Sequence, residues 1–112
     1  MSWIVCRCGE MIKDITDALS YKGRIISDKE FFPLLDLADE HICSVHSDKN
    51  ELAVSFRTNI GKYIRFREIF QCRQCGRIII ENEHGDFCFF APEEHNCNDL
   101  LDFDVGEKIP VK

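Results

Sequence analysis

Two cysteine pairs constrain what this chain can fold into. Cys6-Arg7-Cys8-Gly9 and Cys72-Arg73-Gln74-Cys75-Gly76 each set two thiols one or two residues apart, with glycine directly after the second. Thiolates at that spacing reach one small cation from a single tight turn, and the glycine supplies the positive φ such a turn needs. Residues 9–71 separate the pairs, so a shared ion would tie together distant parts of the chain. Strand-like runs, Trp3-Ile4-Val5 and Arg65 to Gln71 with Phe66, Ile69 and Phe70, lead into the pairs, and Ile78-Ile79-Ile80 follows the second. These runs predict strands meeting at two facing knuckles, with Cys6, Cys8, Cys72 and Cys75 as a four-sulfur set.

On these residues the chain resembles the zinc-ribbon group of folds with rubredoxin-like knuckles, over roughly residues 3–10 and 66–91. The resemblance implies one structural Zn2+ on the four thiolates. The first knuckle departs from the usual pattern, being C-x-C rather than C-x-x-C. Other chemistries fit less well. A thioredoxin-like pair wants its first cysteine at a helix N-terminus, whereas Gly76-Arg77-Ile78-Ile79-Ile80 reads as strand. The redox-switched zinc centre of a stress chaperone also combines C-x-C with C-x-x-C, but not across so long a gap. Iron suits four sulfurs too, although a solvated ribbon more often holds zinc.

Of the remaining thiols, Cys43 and Cys88 stand beside apolar residues and read as small buried groups. His95 and Cys97 are reserve ligands should the C-x-C half be incomplete. His41, His46 and His84 read as surface residues.

The other elements follow from local pattern. Ser27-Asp28-Lys29-Glu30 has the form of a capping box in which side chains and free amides satisfy each other. Phe31, Leu34 or Leu35, Ala38, Ile42 and Val45 then recur at helical spacing. Asp48 to Glu51 repeats the box and favours a second helix to about Gly61, against the strand-like alternation of Leu52, Val54 and Phe56. A strand is expected at Arg24-Ile25-Ile26, and residues 10–17 are undecided. A turn over Asn82 to Asp86 and a strand over Phe87 to Phe90 close the second half. At 112 residues, with 45% apolar content, the expectation is one α+β domain. In it a small antiparallel sheet with a zinc ribbon is interrupted by a helical insert at about 27–61 and followed by an acidic segment at about 93–112. A start without a basic region and long apolar run, together with seven cysteines, an odd number, points to the cytoplasm.

Charge bears on partners. The formal net charge is −6, with residues 57–77 strongly basic and residues 28–56 and 78–112 acidic. No H-E-x-x-H, phosphate loop or G-x-S-x-G occurs, and four thiolates leave a zinc ion no open position, so the expectation is a non-enzyme. The acidic faces favour binding a basic protein, through Asp36, Asp39, Glu40, Glu93, Glu94, Asp99 and Asp102. The combination of C-x-C-G, helical insert and Q-C-x-x-C-G-R resembles small bacterial proteins, some of them immunity proteins. That resemblance implies neutralisation of a basic toxin or nuclease. The alternative is nucleic-acid binding by Arg57, Lys62, Arg65, Arg67, Arg73 and Arg77 interleaved with Tyr63, Phe66 and Phe70.

Overall fold

A computed structural model describes residues 2–44, 48–94 and 97–102. In chain order these residues form β1 (Ser2–Val5), β2 (Met11–Asp14), β3 (Lys22–Ile25), α1 (Asp28–Ile42), α2 (Lys49–Tyr63), β4 (Arg67–Gln71), β5 (Ile78–Glu81) and β6 (Phe87–Phe90). The fold is α+β, with two helices, a two-stranded sheet β1-β2 and a four-stranded sheet ordered β3-β4-β5-β6. By compactness the chain divides into residues 1–23 with 68–112, and residues 24–67.

The first unit holds the core. In the antiparallel β1–β2 pair Ile4 faces Ile12, and both are buried. Trp3, Val5 and Met11 alternate to the other face and are exposed, as a period of two requires. Residues 10–17, undecided from sequence, thus supply β2. Phe70 of β4 sits opposite Ile79 of β5, and Ile79 opposite Phe89 of β6. Ile4, Ile12, Phe70 and Ile79 form one apolar cluster with Cys6 and Cys72, packed at its edge by Tyr21, Cys75 and Phe89. The sulfur-bearing turns are therefore rooted in the core. The β5–β6 turn is held by Asn82, whose Oδ1 accepts the N–H groups of His84 and Asp86.

The second unit is built around the two helices. Ser27 precedes α1, but the reciprocal capping box does not form. Ser27 Oγ makes no cap bond to a helix amide and donates to Glu30 Oε1 at 2.8 Å. The Glu30 carboxylate accepts the backbone N–H of Arg65 at 2.7 Å, a short charge-assisted bond. At α2 the expected cap is present, with Asp48 accepting from Asn50 and Glu51 N–H. That cap explains why residues 49–63 are helix despite their alternation. His41 bridges the helices. Its Nδ1 lies 2.9 Å from the Leu37 carbonyl, which places the proton on Nδ1, and Nε2 lies 3.2 Å from Ser55 Oγ. It is half-buried, not a surface histidine. Neither helix contains a buried residue, although α1 has the apolar row that the sequence predicts. Val45 and His46 lie outside the described residues. Among the described residues no helix is long and apolar enough to cross a membrane.

Candidate metal centre

Both cysteine pairs sit in hairpin turns of the same design. In the first, Cys6 N–H donates to the Glu10 carbonyl at 2.8 Å and Gly9 N–H returns to Cys6 at 2.9 Å. In the second, Cys72 N–H donates to Arg77 at 2.9 Å and Gly76 N–H returns to Cys72 at 2.7 Å. The leading cysteine closes each hairpin, and the glycine after the second cysteine carries the left-handed φ, +97° at Gly9 and +82° at Gly76. The extra residue between Cys72 and Cys75 lengthens the loop without changing its closure.

The turns bring the four sulfurs together. Cys6 Sγ lies 3.5 Å from Cys75 Sγ, and Cys8 Sγ lies 3.6 Å from Cys72 Sγ. All four lie within 4.8 Å of one another. These separations exceed a disulfide bond of about 2.05 Å. They match the edge of a tetrahedron with metal–sulfur bonds of about 2.3 Å, which is about 3.8 Å. The donor set can therefore hold a metal ion. Among the described residues it is the one cluster of three or more such groups.

The four thiols are not equivalent. Cys6 and Cys72 are buried, Cys75 is half-buried and Cys8 is exposed. Burial pushes the Cys6 thiol up, and pushes Cys72 up to about 12 against opposing backbone N–H groups of Cys75 and Gln74. Burial also acts to raise Cys75, but the Arg77 N–H and guanidinium outweigh it and hold that thiol at about 6. Arg77 Nη1 donates to Cys75 Sγ at 3.3 Å, a charge-assisted contact. One thiolate is thus prepared beside a fixed positive charge, while the buried pair needs a cation to ionise.

Two supporting residues carry no sequence signal of this role. Gln71 precedes Cys72 and is 1% exposed. Its Nε2 donates to the Gly76 carbonyl at 3.2 Å and to the Cys97 carbonyl, and its Oε1 accepts from Leu100 N–H at 2.7 Å. Asn98 Nδ2 donates to the Arg73 carbonyl at 3.2 Å. Together they fasten residues 97–100 over the second knuckle, and only the tertiary contact distinguishes them from other amides.

Other expected residues fall elsewhere. Cys43 is exposed, not buried, because it is the C-cap of α1 and follows the last helical residue. Cys88, opposite Ile80, is half-buried. Cys97 is outside the sulfur cluster, and His95 lies outside the described residues. Asp36, Asp39 and Glu40 are exposed on α1, and Glu93, Glu94 and Asp102 are exposed beyond β6. Asp99 is exposed but pairs with Arg73 at 3.3 Å. Of the basic residues and interleaved aromatics, Arg77 is committed to Cys75, and Phe70 belongs to the core.

These features define a small α+β protein with a four-cysteine centre built from two hairpin turns. The chain belongs to the family described as a domain of unknown function, DUF8617, whose model matches residues 2–100 and so includes both cysteine pairs. Neither the curated proteins nor the solved structures contain a match to it.

Proposed function

We propose that this is a non-catalytic protein-interaction module stapled by one structural Zn2+ on Cys6, Cys8, Cys72 and Cys75, and that its partner is a basic protein. The observation that carries the zinc assignment is the set of four sulfurs within 4.8 Å on two matched turns. Soft thiolates in a tetrahedral array select zinc over hard cations, and four of them leave no open position for activating water. Zinc ribbon describes the facing knuckles by this reading. The acidic exposed residues of α1 and of residues 93–102 support the basic partner, because they favour its encounter and oppose nucleic acid. The partner is a toxin or nuclease domain and the protein its cytoplasmic inhibitor, as an immunity protein would be. The nucleic-acid alternative is weakened by the commitment of Phe70 and Arg77 within the fold.

Native mass spectrometry of tagged protein from its own host tests both parts. One bound zinc, lost on acid denaturation, and a co-purifying basic protein are expected. Metal-free folded protein would overturn the staple, and co-purifying nucleic acid the partner.

A further inference from the structure

We propose that the outer row of α1 is the face on which a basic amphipathic helix of the partner docks, an inference that rests on the basic-partner reading above. Helix α1 has two apolar sides. Leu37 and His41 look toward α2, where they line a cavity of about 680 Å3 with Leu52, Ser55 and Asn59. Phe31, Leu35 and Ile42 recur at i, i+4 and i+11 on another side and are 44%, 43% and 79% exposed. Phe32 stands beside that row, its ring set edge-on to Phe31 at 5.4 Å between centroids. The two rings hold each other in place and present a prepared aromatic anchor. Four large apolar side chains, Phe31, Phe32, Leu35 and Ile42, are thus left exposed on one helix, and grouping of this kind marks an interaction site where single exposed residues do not.

Charge selects the occupant. Asp28 and Asp39 stand beside the row at helical spacing, three residues before Phe31 and four after Leu35, whereas Asp36 lines the inner side of α1 with Leu37 and Tyr63. The sole lysine or arginine of α1 is Lys29. A second copy of this helix would oppose acid to acid. A helix with apolar residues at i, i+3 or i+4 and i+7, flanked by Lys or Arg, satisfies both the row and its margin, the usual form of helix recognition on an apolar face.

The test uses the isotopically labelled, zinc-loaded full chain and synthetic helical peptides about 18 residues long, or some five turns. One peptide places leucine on one face and lysine on the other, a second replaces lysine by glutamate, and a third keeps the lysines with serine for leucine. Amide shifts within residues 31–42 are expected, with the leucine–lysine peptide bound about tenfold or more tighter than either control. The double variant Leu35→Ser, Ile42→Ser should lower that affinity about tenfold while helical circular dichroism and zinc content stay unchanged. Equal binding of the lysine–serine peptide, or equal binding by the double variant, would overturn the docking face. Shifts confined to residues 78–102 would overturn it too, while sparing the basic-partner reading. Affinity for an RNA oligonucleotide with none for any lysine peptide would end both.

Discussion

Gln71 Oε1 accepts the Leu100 N–H at 2.7 Å, directly before the leading cysteine of the second knuckle. That contact makes the segment after β6 part of the support of the four-cysteine site. Replacing Gln71 by Leu would leave the buried Gly76 carbonyl, and the partly buried Cys97 carbonyl and Leu100 N–H, without this partner. A loss of roughly 1–3 kcal/mol is expected, and faster zinc transfer to a chelator. Thermal unfolding and chelator kinetics of the zinc-loaded variant measure it; an unchanged release rate would place Gln71 outside the support.

Cys72→Ser should abolish stoichiometric zinc and loosen the first unit. Metal binding in such sites contributes on the order of 10 kcal/mol to folding. Cys43→Ser, at an exposed position outside the cluster, should change neither. Equal losses in the two variants, by metal analysis and melting, would reject the ligand set.

Without metal, the thiols should titrate far apart. Cys75 is held at about 6, below its ordinary 9.0, so its thiolate stabilises the metal-free fold fully above pH 9 and that contribution disappears as pH falls through 6. Cys72 is pushed up to about 12, so its thiol form stabilises below pH 9 and the contribution is lost as pH rises toward 12. Thiolate absorbance of the metal-free chain should show an early step near pH 6. Arg77→Gln should move that step upward; a step that stays put would deny Arg77 its role.

Gly9→Ala and Gly76→Ala should differ in cost. Both glycines have left-handed φ, a backbone penalty of about 1 kcal/mol for alanine. A Cβ at Gly9 meets nothing within 4 Å, whereas at Gly76 it comes within 2.8 Å of Asn98 Oδ1. Gly76→Ala should therefore destabilise more by denaturant melting and release residues 97–100. Equal midpoints would show that Asn98 yields freely.

Acid should weaken the helical unit through Glu30. The Arg65 N–H, then the Ser27 hydroxyl, hold its carboxyl below the ordinary 4.5. Its contribution is therefore present above pH 4.5 and lost as pH falls through the lower folded value. Glu30→Gln should flatten that part of the pH–stability curve, followed by helical circular dichroism.

The cysteine pairs and their glycines were readable in the sequence because a knuckle is local. Spacing, a left-handed glycine and flanking strand-formers occupy consecutive residues. The α2 cap by Asp48 and the β5–β6 hairpin were legible for the same reason. What the tertiary structure decided depends on residues far apart. It gave Glu30 to Arg65 rather than to a capping box, made Gln71 and Asn98 the fastenings of a loop, and exposed Cys43. Helical periodicity states that Phe31, Leu35 and Ile42 share a face, but not what covers it. Burial and buried hydrogen bonding are properties of the assembled chain, whereas turns and caps are written within a few residues.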